Sequence, residues 1–490
     1  MMRNSYLFTF LIAVLLLNIG EVLAKKGPNI LFIECDDLMP RFMNKCGDGF
    51  GITPNLDQLA SDGVYFKNSV CQAPMCAPSR NGLLTNLYPH ELGFYRNGHR
   101  KLLPEDVWTF PQVLQEHGYT TAYIGKTHMR PKSFKQSKEE ALLSYGFDYA
   151  KATGERYQLW KKLNLKKPYG KQDVFIQFLK DEGKYEQFLD DNKQGGWSWY
   201  SHSTMDDDVH YLDGYTTMVG ENWLETQKDA EKPFFLWFNF CLPHDPYDAP
   251  TQYQQAAKAI DIPAAKTNSF GHEVPELLTK YSHGKLPNAE NLARRREGEV
   301  ANVMFMDKMI GNLVEQLKES GLYDNTVIVF FSDHSIFLGN HGIDGKGSLF
   351  EESLLASLII SYPKHFQRDV VSDMPVELMD LVPTAFEIAG IKKPEKTAQN
   401  GKSIVPVLSG KIESVRKYAI SEIWQAQAVS GSRFRLIVTE LGHEFLYDHD
   451  TDPYEMDNVA EQHPEVVKEM KDYLEQWKVS TGEFVKPNTY

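Results

Sequence analysis

Cysteine is scarce in this chain: 490 residues carry five, Cys35, Cys46, Cys71, Cys76 and Cys241. So few exclude a disulfide-stapled scaffold, and an odd number in an exported chain leaves one thiol unpaired. Whether the others pair is open from sequence. Positive charge is also short, with 52 Lys and Arg against 66 Asp and Glu and a formal net charge of −14. That balance argues against nucleic acid or an anionic membrane as a general partner. An anionic substrate would therefore have to be drawn in by a local cationic cleft. Low-complexity tracts and internal repeats are absent, which excludes solenoids and disordered linkers. What remains is the composition of a folded chain, 42% hydrophobic and 24% charged, long enough for one large domain and a smaller one.

One long apolar run is present, over residues 6–19, preceded by Arg3 and followed by Val22, Leu23 and Ala24. This is the layout of a cleaved secretory signal over residues 1–24. The competing reading, a membrane anchor, needs about 20 apolar residues, and no cysteine stands at the cleavage point to carry a lipid. Cleavage removes Arg3 and Glu21 together, so the mature chain keeps its charge. The expectation is a secreted or periplasmic protein with no membrane association after cleavage.

Three near-continuous apolar segments, 29–35, 234–240 and 326–331, read as buried strands, and 120–124 as a shorter one. Helical patterns fall at 107–117, 213–226 and 296–320, the last closed by Gly321. The alternation predicts an α/β fold with a large mixed, mostly parallel sheet sandwiched by helices over residues 25–410. Short strands at 418–423, 433–439 and 445–447 before a helix at 464–479 predict a smaller C-terminal α+β subdomain over 411–490.

Ligands of such sheets bind at the carboxyl ends of the strands, and polar residues stand there repeatedly. Asp36 and Asp37 follow the first strand, His244 the second, and Asp333 and His334 the third. Packed carboxylates need a cation, and oxygen donors favour Ca²⁺ or Mg²⁺; a lone Asp pair after a strand is otherwise a turn or helix cap. Cys76 opens Cys76-Ala-Pro-Ser-Arg80 at the start of a helical stretch, where backbone N–H groups and the dipole favour an anion. A buried structural thiol is the alternative. Lys126 and His128 follow the 120–124 strand, and Lys346 lies in a glycine-rich loop. Each alone reads as a solvated side chain; together they supply charge neutralisation and proton transfer for an anionic ester.

These residues, with Pro28-Asn-Ile-Leu-Phe-Ile, Thr53-Pro-Asn-Leu-Asp57, the 118–128 segment ending Gly-Lys-Thr-His128, Leu338-Gly-Asn-His-Gly342 and Asp452-Pro-Tyr-Glu455, give the chain its likeness to a known family. It resembles the type I, formylglycine-dependent sulfatases of the alkaline-phosphatase-like superfamily, including bacterial polysaccharide sulfatases and iduronate-2-sulfatase-like enzymes. The resemblance implies that a separate maturation enzyme converts Cys76 to Cα-formylglycine, whose hydrated aldehyde attacks sulfur. It implies Ca²⁺, or Mg²⁺, on Asp36, Asp37, Asp333 and His334 with residue 76. It assigns His244 and Lys346 to the leaving oxygen, Arg80 and Lys126 to the anionic intermediate, and His128 to the closing proton abstraction. Two positions depart from the family pattern: Ser335 and Asn86 stand where glycine is usual. Asn tolerates positive φ; Ser335 bears on the local loop geometry.

For substrate, the resemblance points to sulfated carbohydrates, glycosaminoglycan or algal (ulvan among them). Within the sequence, the aromatic stretch 195–202 suits sugar stacking or local core. Lys161, Lys162, Lys166, Lys167 and Lys171 form a basic stretch that also reads as solvated surface, and Arg96, His99, Arg100 and Arg130 flank the motif loops. The alternatives are a phosphonate or phosphate ester hydrolase on the same scaffold and a non-catalytic binder of sulfated glycans.

Overall fold

A computed structural model describes residues 27–482, apart from 46–49, 98–100, 156–158, 160–172, 195–203, 206, 268–269, 281–285, 393 and 395. The N-terminal apolar segment, Cys46, His99, Arg100, the basic stretch and the 195–202 aromatic stretch lie outside the described residues. Among the described residues no helix is long and apolar enough to cross a membrane.

The strands are β1 (Asn29–Asp36), β2 (Gly63–Phe66), β3 (Ser69–Val70), β4 (Thr120–Lys126), β5 (Tyr149–Thr153), β6 (Phe234–Pro243), β7 (Thr326–Ser332), β8 (Leu358–Ser361), β9 (Val370–Ser372) and β10 (Val376–Glu377). Eight form one sheet in the order β5-β4-β6-β1-β7-β8-β2-β9. Its centre is parallel throughout, and β8 alone runs against its neighbours β7 and β2. Successive side chains of the central strands alternate between two apolar cores. Ile30, Phe32, Phe235, Trp237, Val329 and Phe331 face one; Leu31, Ile33, Leu236, Phe238, Ile328 and Phe330 face the other. Period-2 alternation with both faces apolar produces an unbroken hydrophobic run, which is why these strands are visible in the sequence.

The mixed, mostly parallel sheet between helices matches the expectation. So do the helices at Phe110–Glu116, Leu212–Glu225 and Ala289–Glu319, within a few residues except at the start of the last. The C-terminal sheet has four antiparallel strands rather than three: β11 (Ala419–Ile423), β12 (Ala426–Ser430), β13 (Phe434–Thr439) and β14 (Glu444–Asp448). The extra strand, Ala-Gln-Ala-Val-Ser, is poor in β-branched and aromatic residues. It forms because a turn with Gln425 at φ 70° folds it back on β11. One face of this sheet packs on the main core through Ala428, Ile437 and Tyr447. The other packs Ile420, Val429, Leu436 and Leu446 on Val467, Met470, Leu474 and Trp477 of the helix Pro464–Thr481. Those four helix positions are spaced three, four and three apart, a single stripe.

Candidate active site

The carboxyl ends of β1, β4, β6 and β7 meet around one cavity of about 440 Å³. Asp37, Cys76, Lys126, His128, His244 and Lys346 line it, while Asp36, Arg80, Asp333 and His334 are fully buried. The structure thus brings together all ten residues named above for catalysis or metal binding.

Cys76 is the first residue of the helix Cys76–Thr85, so the helix N-terminus faces the floor of the site. Its Sγ lies 3.3 Å from Asp36 Oδ1, 3.2 Å from His334 Nε2 and 3.2 Å from Lys346 Nζ. Lys346 donates to both oxygens of Asp37 at 2.6 and 2.8 Å, and Lys126 is ion-paired with Asp36. His334 Nδ1 stands 2.9 Å from Asp37 Oδ1. The glycine-rich loop therefore delivers a buried lysine rather than a solvated one. Burial pushes the Asp37 carboxyl up, but Lys346, His244 and His334 more than offset it and hold it well below the usual carboxylate range. Burial likewise pushes the Cys76 thiol well above its ordinary value. An unmodified Cys76 is thus a protonated thiol at neutral pH and a poor nucleophile.

Arg80 sits beneath the cavity. Its Nε donates to Asp333 Oδ2 at 2.9 Å, and Nη1 donates to Glu34 Oε2 at 2.9 Å and Asn239 Oδ1 at 2.8 Å. Its charge acts on the site through Asp333, holding that carboxylate in place. Sequence reasoning missed Glu34 and Asn239. Both lie inside apolar strands, and a buried acid within such a run is the signal that was available. Burial pushes Glu34 up to about 7 despite Arg80, and Trp237 Nε1 donates to the same oxygen at 2.9 Å. Glu155, also missed, stands 3.4 Å from His128 Nδ1.

His244 Nε2 lies 3.5 Å from Asp37 Oδ2, and its Nδ1 faces the Asp245 carbonyl at 2.8 Å. About a quarter of its side chain is exposed, so it forms part of the cavity wall rather than the floor. Of the two departures from the family pattern, Asn86 adopts φ 57° as the left-handed cap of the Cys76–Thr85 helix. Its Nδ2 donates to the carbonyls of Ala398 and Asn400 at 2.9 and 2.5 Å. Ser335 is absent from the positive-φ positions, so nothing in its backbone requires glycine. The four described cysteines, Cys35, Cys71, Cys76 and Cys241, are all buried, and no disulfide joins any two of them.

One expectation is corrected. The described cavity lining is not cationic: Lys126, Lys346 and Arg295 face Asp37, Glu155, Asp245 and Asp344, three charges against four. The lysines are consumed by carboxylates instead of standing free. A divalent cation reverses the sign, and the donor set fits one. Ligand atoms of Asp36, Cys76, Asp333 and His334 lie within 4.8 Å of one another, all buried, with Asp37 adjoining. Three carboxylates make it an oxygen-rich site of the kind hard cations take.

The comparisons with known proteins agree with this geometry. Residues 28–391 match the family model described as sulfatase, and residues 339–480 match that of the N-sulphoglucosamine sulphohydrolase C-terminal region. The chain is 26% identical to an N-acetylglucosamine-6-O-sulfatase of Bacteroides thetaiotaomicron over 92% of its length and 87% of that protein. It is 26% identical to an ulvan-active sulfatase of Formosa agariphila over 88% and 77%. A phosphonate monoester hydrolase from Silicibacter pomeroyi shares the fold, with a TM-score of 0.74 at 22% identity over 94% and 96%. With the family model spanning most of the chain and the catalytic and metal candidates gathered at one cavity, this protein belongs to the sulfatase family.

Proposed function

We propose that this sulfatase removes sulfate from a sulfated carbohydrate outside the cytoplasm, using Cys76 matured to Cα-formylglycine and a bound Ca²⁺. The observation that carries the reading is the position of Cys76. It lies at a helix N-terminus on the floor of the cavity, within 3.3 Å of a carboxylate, an imidazole and an ammonium group. Matured residue 76 would supply a hydrated aldehyde as nucleophile, and Ca²⁺ on Asp36, Asp37, Asp333 and His334 would polarise the sulfate oxygens. Lys126 and Lys346 hold the anion from two sides. His244, on the wall, protonates the departing sugar oxygen. Burial pulls His128 down to about 3, so it is neutral at physiological pH and free to accept a proton. Support for a sugar substrate comes from the two relatives named for sulfated sugars or polysaccharide. The N-terminal signal layout supports export.

The test is the intact mass of the Cys76 peptide after co-expression with a formylglycine-generating enzyme, with sulfate release from a glycan panel measured alongside. A loss of about 18 Da, as SH on CH₂ becomes an aldehyde, with sulfate release abolished in Cys76→Ala, is the expected outcome. A thiol that persists under conditions that mature another sulfatase sinks the covalent reading. The likeness to a phosphonate hydrolase makes parallel aryl sulfate and phosphonate ester assays the second arm; faster phosphonate turnover overturns the substrate class.

A further inference from the structure

We infer that Glu155 is the positioning residue for His128, holding the imidazole with its proton on Nδ1 and leaving a bare Nε2 for the chemistry. This rests on the reading of His128 as the base of the site.

The placement follows from sheet register. Strands β4 and β5 run parallel with Lys126 opposite Thr153. His128 and Glu155 each lie two residues beyond that pair, so the two chains leave the sheet edge side by side. Both residues line the cavity, and Nδ1 of His128, buried and making no hydrogen bond, stands 3.4 Å from Glu155 Oε1. Separations of this kind commonly tighten when substrate binds.

Both partners are held from outside the pair. Lys138 Nζ donates to the Thr153 carbonyl at 3.2 Å, and Cys241 Sγ to the Gly154 carbonyl at 3.6 Å. A Cβ at Gly154 would come within 2.7 Å of Asp173 Oδ2 and Leu159 Cγ. The segment carrying Glu155 is thus wedged between four neighbours. His128 has φ 44°, in the left-handed region that residues other than glycine adopt at some cost, so the surrounding fold holds its backbone there.

The electrostatics point the same way. Burial pulls His128 down, Lys126, Arg80 and Arg130 add to that, and Glu155 opposes it. Burial pushes Glu155 up, but His128, Lys126, Lys138 and His244 outweigh it, so the carboxyl stays ionised. A neutral imidazole has one proton, and an ionised carboxylate can only accept. The proton therefore sits on Nδ1, toward Glu155. When Nε2 takes a proton from a hydroxyl in the cavity, the resulting imidazolium shares its Nδ1–H with a carboxylate that stays ionised.

The first test needs neither metal nor maturation. Long-range ¹H–¹⁵N spectra of the full-length, unmatured chain report which ring nitrogen is protonated, with the His128 signals identified by their loss in His128→Asn. The expected result is the Nδ1–H tautomer in the wild type and a shift toward a mixed pattern in Glu155→Leu. Protonation on Nε2 in the wild type, or an unchanged pattern in Glu155→Leu, overturns the inference. If that variant does not fold, Glu155→Asp, which draws the carboxylate back by one methylene, takes its place.

The second arm uses matured enzyme. Glu155→Gln is expected to lower kcat roughly 10- to 100-fold with little change in KM, and to add nothing in a His128→Ala background. A loss below about twofold, or one that adds to that of His128→Ala, also overturns it. Matured wild type that releases no sulfate would sink the reading of His128 as a sulfatase base, while the tautomer spectra would still decide what Glu155 does.

Discussion

Two buried clusters in this molecule use the same ingredients to opposite ends. At the catalytic cavity, Asp36, Asp37, Asp333 and His334 meet Lys126 and Lys346. Where the C-terminal sheet docks on the main domain, Glu351, Glu455 and His449 meet Arg435 and Arg41. Arg435 Nη1 lies 2.6 Å from Glu455 Oε1, Arg41 Nη2 3.1 Å from Glu351 Oε1, and His449 Nε2 2.9 Å from Glu455 Oε1. Each cluster has ligand atoms close enough for a metal. The difference lies in the cations and in the space around them. In the clasp, Arg435, Arg41 and the Glu351 N–H, at 2.8 Å from Glu455 Oε2, satisfy the carboxylates, and neither Glu351 nor Glu455 lines the cavity. At the site, single-point ammonium groups pair with the acids beside open volume, and a helix N-terminus and a thiol join them. Charge clustering alone therefore does not mark a site; a cluster that borders a cavity does.

Substitutions on either side should separate the two clusters. His244→Ala removes a partly exposed wall residue whose contact with Asp37, at 3.5 Å, is looser than that of Lys346. It is expected to lower kcat by roughly 10²- to 10⁴-fold while shifting stability by less than about 0.5 kcal/mol, read by turnover and urea melts of one preparation. An unchanged kcat would place the proton donor elsewhere.

Arg435→Met should do the reverse. It leaves the buried Glu455 without its arginine, with His449 and the Glu351 N–H still beside it, at an expected cost of about 3 kcal/mol, with activity per folded molecule falling far less than in His244→Ala. A loss under about 1 kcal/mol would mean that the clasp is no stronger than a surface pair.

The clasp should also carry an acid dependence. Burial raises the Glu455 carboxyl, but Arg435 and His449 bring it down from 4.5 to about 2. A folded-state value below the unfolded one contributes stability above pH 4.5 that is lost as pH falls toward 2. The shift corresponds to about 3 kcal/mol. The melting temperature should fall over that window in the wild type and fall less steeply in Glu455→Gln.

The smallest effect is expected at the helix cap. Asn86→Gly keeps the left-handed backbone but gives up two hydrogen bonds. It should cost about 1 kcal/mol by thermal melting, with sulfate release unchanged.

The central strands were legible in sequence because both faces are apolar, and the residues after β1, β4, β6 and β7 were legible because a parallel sheet gathers its carboxyl ends. β12 was not, because a strand of small and polar residues acquires its identity from the hairpin that pairs it. Glu34 was hidden inside an apolar run. Its purpose, a counter-charge for Arg80, appears only when β1 and the Cys76–Thr85 helix are brought together. Glu155 follows a weak strand, and its partner lies 27 positions away.

By itself the sequence determined the fold class and the chemical inventory: which strands are buried, which acids, lysines and histidines stand at their ends, and that Cys76 opens a helix. These are local properties, set by side-chain period and helix entry. Only the tertiary structure decided pairing and accessibility: that Lys126 and Lys346 lie against Asp36 and Asp37, that Arg80 is a buried anchor, and that one acid–histidine cluster borders a cavity while the other is closed by arginines. Those outcomes depend on strand order and register across residues hundreds of positions apart, which no local pattern encodes.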